Sequence, residues 1–115
     1  MVMNVLIVED NEAMRRAMRD LLDGSVDCFF ECADGCEAFA LYAEHRPDWV
    51  LMDIEMRRMD GISAARQITA AFPESRIAIV TNYDDDDLRE EARQAGAREY
   101  FVKENLIDVR RILSA

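Results

Sequence analysis

Five times along this chain a short strand-like apolar stretch is followed by residues with helical spacing, and that alternation restricts the fold more than any other feature. Val5-Leu6-Ile7-Val8, Trp49-Val50-Leu51-Met52 and Ile77-Ala78-Ile79-Val80 are unbroken apolar runs. Each is too short for a buried helix, and a run with no polar alternation fits a strand covered on both faces. Val26 to Ala33, with Phe29 and Phe30 inside it, and Tyr100-Phe101-Val102 supply the second and fifth strands.

The intervening segments carry helical periodicity. From Asn11, residues Ala13, Met14, Ala17, Met18, Leu21 and Leu22 recur at spacings of three and four with Arg15, Arg16, Arg19 and Asp20 between them, and Gly24 stops the helix. Asp34-Gly35 turns the chain into a second helix, Cys36 to Glu44, closed by Pro47. A third runs through Ile62, Ala65, Ile68 and Phe72 to Pro73. Asp84 to Asp87 open a fourth that ends at Gly96, their charge facing its positive end; four consecutive acids lack the alternating ligand spacing of a calcium loop. The fifth spans about Leu106 to Leu113.

Strand-helix alternation with short connections specifies a parallel, doubly wound α/β sheet with five strands and five helices. The common strand order for such a sheet is 2-1-3-4-5, the flavodoxin-like arrangement, with ligands bound beyond the carboxyl ends of strands one and three. At 115 residues, half of them apolar, the chain is sized for one domain, residues 1–115.

A net charge of −10 argues against direct nucleic-acid binding and points to proteins and cations as partners. Cys28, Cys32 and Cys36 have neither an even count nor C-x-x-C spacing, which predicts free thiols in a reducing cytoplasm. No apolar run approaches the ~20 residues that span a bilayer, and no signal segment opens the chain, so a cytoplasmic protein without membrane contact is expected.

Polar groups end the strands: Glu9 and Asp10 the first, Asp53 the third, Thr81 the fourth, Lys103 the fifth. Two unit charges ~4 Å apart repel by ~4 kcal/mol at an effective dielectric of about 20, so clustered carboxylates at this rim need protonation or a cation. Oxygen ligands at an open rim favour Mg2+. A carboxylate beside Mg2+, a hydroxyl and an ammonium suits phosphoryl transfer, with the carboxylate as nucleophile.

Val8-Glu9-Asp10-Asn11, Leu51-Met52-Asp53-Ile54, Met59-Asp60-Gly61, Val80-Thr81, and Gly96-Ala97 followed by Tyr100 and Lys103 together resemble a response-regulator receiver domain of bacterial two-component signalling, over essentially the whole chain. The resemblance implies that Asp53 accepts a phosphoryl group from a sensor histidine kinase or phosphotransfer protein. It implies a Mg2+ site of Glu9, Asp10, Asp53 and the Glu55 backbone carbonyl, with Lys103 contacting the phosphoryl group. Thr81 and Tyr100 become the switch that remodels the fourth helix, fifth strand and fifth helix for a downstream protein or an output domain. No enzymatic activity is implied beyond phosphorylation and dephosphorylation of Asp53 itself.

Departures from the family pattern set further expectations. Arg57 stands where a proline usually restricts the loop after Asp53. Glu104 replaces a proline often joined by a cis bond; a non-proline cis bond costs ~3 kcal/mol, so a trans bond and a less restrained Lys103 follow. Glu55, Asn82 and Tyr83 occupy positions that border the attacking water in this family, so they are expected to tune hydrolysis, bulky Tyr83 by obstruction and Asn82 by crowding Tyr100. His45 is expected at the surface. Trp49, four residues or ~13 Å from Asp53, is expected in packing.

Two other functions stay open at this stage: a receiver-like binding module that works without phosphorylation, and a Mg2+-dependent phosphohydrolase. Against the second, the acid spacing such enzymes carry on their first strand occurs here only as Asp53-Ile54-Glu55 on the third. Homodimerisation on phosphorylation is open too. Ending at Ala115, the sequence contains no output domain, which fits a stand-alone protein or a fragment.

Overall fold

The computed structural model describes residues 3–56 and 58–113. Arg57, singled out above, lies outside them. Strands β1 (Asn4–Val8), β2 (Cys28–Cys32), β3 (Trp49–Met52), β4 (Ile77–Thr81) and β5 (Glu99–Val102) form one parallel sheet in the order β2-β1-β3-β4-β5. Helices α1 (Glu12–Leu22), α2 (Gly35–His45), α3 (Gly61–Ala71), α4 (Asp86–Gln94) and α5 (Leu106–Leu113) connect or follow them. This is the flavodoxin-like arrangement that the alternation predicts.

The unbroken apolar runs have the explanation expected of them, because successive side chains enter opposite cores. Leu6, Val8, Val50, Met52, Ile77 and Ile79 face one way, against Ala38 and Tyr42 of α2, Ile68 of α3 and Ala92 of α4. Val5, Ile7, Leu51, Ala78 and Val80 face the other, against Met18 and Leu22 of α1 and Val109 and Leu113 of α5. With both faces covered, neither parity of a central strand tolerates a polar residue. Trp49 is buried in the second core with the Arg76 guanidinium 5.1 Å from its ring centroid, a packing role as expected.

Short acceptor side chains start four of the helices. Asn11, Asp34, Asp60 and Asp85 accept the backbone N–H groups of Met14, Cys36, Ser63 and Leu88, satisfying donors that the first turn leaves unpaired. The tetrad at α4 is therefore a cap, with Asp85 its capping member.

Three local details differ from expectation. Strand β2 is shorter than Val26 to Ala33: Val26 makes only an isolated bridge with Asp23, and the Ala33 N–H turns to the Glu37 carboxylate instead of a neighbouring strand. A single 3-10 turn, Lys103–Asn105, separates β5 from α5. His45 is half-buried rather than free at the surface, its ring stacked on Phe30 with centroids 3.9 Å apart.

Candidate functional site

Register brings the acids together. Val8 pairs with Met52, so Glu9 and Asp53 leave adjacent strands at the same level, and the Asp53 N–H donates to the Val8 carbonyl at 3.0 Å. The Glu9 N–H donates in turn to the Cys32 carbonyl at 3.1 Å, which ties the first strand end to its other neighbour. Carboxylate oxygens of Glu9, Asp10 and Asp53 all lie within 4.8 Å of one another. Glu9 is 1% exposed and Asp53 5%, whereas Asp10 opens to solvent.

Lys103 reaches into this cluster from the end of β5. Its Nζ donates to Asp53 Oδ2 at 3.1 Å and to Glu9 Oε1 at 3.3 Å, and lies 3.1 Å from Glu9 Oε2. Burial alone lowers the pKa of the ammonium, but hydrogen bonds to Asp53 and Glu9 outweigh that and hold it above the ordinary value. A 3-10 turn follows β5 without a proline, and the described backbone has no cis peptide bond, as expected.

Glu9 carries the electrostatic cost of the cluster. Burial first, and the Asp53 charge second, push its carboxyl from 4.5 up to about 7, although Lys103 pulls the other way. Its Oε2 is buried with no described partner except the Lys103 ammonium 3.1 Å away. Three carboxylates share one ammonium, which leaves oxygens of the cluster with little compensating charge. A hard divalent cation with oxygen ligands fits that donor set, because it relieves the repulsion.

The cleft over the cluster is walled by Glu9, Asp10, Asn11, Asp53, Glu55, Met56, Asn82 and Lys103. Glu55 and Asn82 thus line it with exposed side chains. Thr81 ends β4 as expected, but its side chain is fully buried and does not line the cleft wall. A strand-end position in the sequence cannot distinguish the rim from the layer beneath it.

Two tyrosines connect the loops behind the site. The Tyr83 hydroxyl donates to Glu55 Oε1, bridging the loops after β4 and β3. That hydrogen bond, with burial and the Glu55 charge, raises the phenol above its ordinary pKa, so it stays a donor. The half-buried Tyr100 donates its hydroxyl to the Tyr83 carbonyl at 2.6 Å, and the Arg89 guanidinium lies 4.5 Å from its ring centroid.

Asp34 and Arg58 were not singled out from the sequence, yet they pair beside the loop that leaves Asp53: Arg58 Nε and Nη2 lie 3.1 and 2.5 Å from Asp34 Oδ2. No local signal marks this contact, because the partners are 24 residues apart. Asp34 is recognisable in the sequence only as a turn residue.

Fold and site together define a flavodoxin-like α/β domain with an acidic, lysine-bearing cluster at the carboxyl ends of its strands. The model of the response regulator receiver domain matches residues 5–114, and the chain belongs to that family. The chemotaxis protein CheY of Bacillus subtilis is 36% identical over 104 residues, covering 90% of this chain and 87% of that protein. The uncharacterized transcriptional regulatory protein YhcZ of the same organism is 34% identical over 116 residues, 96% of this chain but 54% of that one. This chain spans about half the length of the first relatives it matches. A chain of the CheX-CheY-BeF3-Mg+2 complex from Borrelia burgdorferi superposes with a TM-score of 0.90 at 27% identity, over 97% of this chain and 87% of its own.

Receiver domains are in general signalling modules rather than enzymes, although a Haloarcula marismortui relative, 37% identical over 100 residues, is a protein-glutamate methylesterase/protein-glutamine glutaminase. The family binds Mg2+ at an acidic cluster and works with histidine kinases and output domains. Among the described residues no helix is long and apolar enough to cross a membrane.

Proposed function

We propose that residues 1–115 form one receiver domain that acts in the cytoplasm as a phosphoacceptor switch, with Asp53 taking a phosphoryl group from a histidine of a sensor kinase or phosphotransfer protein. A single observation carries this reading: Lys103 holds Asp53 and Glu9 in a cluster of three carboxylates whose charge it only partly balances. Glu9, Asp10, Asp53 and the backbone carbonyl of Glu55 would hold Mg2+. Bound there, the ion supplies positive charge for the phosphoryl oxygens.

An Asp53 carboxylate oxygen forms the new O–P bond as the P–N bond of the phosphohistidine breaks, while Lys103 neutralises a phosphoryl oxygen. Thr81 and Tyr100 then respond to the added charge, and the change passes to the surface of α4, β5 and α5. The partner at that surface is either an output domain or a separate chain.

Intact-mass measurement after incubation with acetyl phosphate and MgCl2 tests the reading. One added phosphoryl group is expected on the wild type and none on Asp53→Asn. A wild type that takes up nothing overturns it and favours a phosphorylation-independent binding module.

Tyr83 and Glu55 should set how long the signal lasts. Tyr83→Ala removes both the ring and the bridge to Glu55 and is expected to raise the Mg2+-dependent dephosphorylation rate about tenfold. Tyr83→Phe keeps the ring, so it separates obstruction of water from the hydrogen bond. An unchanged rate in Tyr83→Ala would remove the tuning role.

A further inference from the structure

The cation site proposed above needs the strand end at Asp53 held in place, and the residues that lead into α3 bear on it. The root of this loop is fixed by backbone contacts: the Gly61 N–H donates to the Ile54 carbonyl at 2.9 Å, and Gly61 leaves room for the Asp53 carbonyl that a Cβ would occupy. Its outer half has a different anchor. Arg58 crosses to Asp34, placing Nε at 3.1 Å and Nη2 at 2.5 Å from Oδ2. The other oxygen, Oδ1, accepts the Cys36 N–H at 2.8 Å, so one carboxylate caps α2 and grips the loop.

Backbone packing reinforces this docking. Gly35 lies against the Met59 carbonyl so closely that a Cβ there would come within 2.6 Å of the oxygen. Asp34 is 8% exposed, and the Arg58 hydrogen bond, ahead of opposing burial, holds its carboxyl below the ordinary range. The Arg58 side chain is 67% exposed, and pairs with so much solvent contact contribute little to global stability. What such a contact does supply is direction, since a guanidinium placing two nitrogens on one fixed carboxylate restricts the backbone that carries it.

We infer that Arg58, acting through Asp34, is a positioning residue for the divalent-cation site: the ion pair anchors the 58–61 segment, whose Gly61 lies against the Asp53 carbonyl and donates to the Ile54 carbonyl, and so supports Mg2+ affinity. This inference rests on the reading of Glu9, Asp10, Asp53 and the Glu55 carbonyl as the cation site.

The test is a calorimetric titration of the full chain with MgCl2 alone, beside a thermal melt without metal. Arg58→Ala and Asp34→Asn are each expected to weaken Mg2+ binding about two- to fivefold, the most that an exposed ion pair can transmit. Asparagine keeps the helix cap and removes the charge, so the α2 terminus survives. Arg58→Lys should recover part of the affinity, and the double variant should bind no more weakly than either single one. The melting temperature of Arg58→Ala should barely move.

Unchanged affinity in Arg58→Ala, with wild-type binding that Asp53→Asn abolishes, overturns the positioning role and leaves the cation site standing. Affinity that falls only in step with the melting temperature overturns it as well, because the pair would then be structural. A wild type that binds no Mg2+ removes the cation-site reading itself, and the inference with it.

Discussion

Replacing Lys103 with methionine is expected to destabilise the metal-free domain by about 3–5 kcal/mol at about pH 8, measured by urea unfolding. Methionine preserves most of the apolar stem but removes the ammonium that lies 3.1 Å from both Asp53 Oδ2 and Glu9 Oε2. Two buried carboxylates then face each other with Asp10 nearby and no compensating charge. Lys103 is held above its ordinary pKa, so its stabilisation is complete below the unfolded value of 10.5 and is lost only as pH passes the folded one. Neutral pH therefore sees its full effect.

Glu9 sets how that loss varies with pH. Its carboxyl is raised from 4.5 to about 7, by burial first and the Asp53 charge second. Between those values the folded protein binds more protons than the unfolded chain, so stability from this group is greatest in acid and falls as pH rises through the window. Without Lys103 the upper end of the window moves higher, and Lys103→Met should lose stability with rising pH more steeply than the wild type. Adding Glu9→Gln should flatten the dependence, and millimolar Mg2+ should restore part of the lost stability. Equal unfolding free energies for Lys103→Met at about pH 5 and pH 8 would show that Glu9 is not the titrating group.

The second large effect is expected at Gly61. An alanine Cβ there would overlap the Asp53 carbonyl and crowd its carbon at 2.8 Å, and both are backbone atoms with no rotamer to change. Gly61→Ala should cost about 3 kcal/mol or more, at or above the usual limit of overpacking, because the strand end carrying Asp53 has to move. Phosphoryl uptake should fall with it. Gly24→Ala is the control: its φ of +89° strains an alanine, but nothing lies within 4 Å, so a loss of about 1–2 kcal/mol with uptake intact is expected. Comparable losses at the two glycines would mean that the Gly61 contact relaxes freely.

Much of this architecture was legible in the sequence because it is written in short-range patterns. The run Val5 to Val8 could only be a strand covered on both faces, and the three- and four-residue spacing from Ala13 to Leu22 could only be an amphipathic helix. Strand ends were harder. Val26 has the right composition for β2, but Asp27 and Cys28 both donate to the Met3 carbonyl, and the ladder begins only at Cys28. The stack of His45 on Phe30 was invisible for a related reason: the ring's neighbour is set by how α2 crosses β2.

The sequence by itself determined the order of elements and the residue types that end each strand, since periodicity and apolar runs act over a few positions of the chain. It thereby put Glu9, Asp10, Asp53 and Lys103 at the carboxyl edge of one sheet. Only the tertiary structure decided what those groups experience. Lys103 meets Glu9 across 94 residues and Asp53 across 50, and Arg58 meets Asp34 across 24. Burial and the nearness of other charges fix a carboxyl's pKa and a loop's shape, and both come from which strands lie side by side. That is why Thr81 proved buried, Glu9 raised above the ordinary carboxyl range, and Lys103 paired with two buried carboxylates.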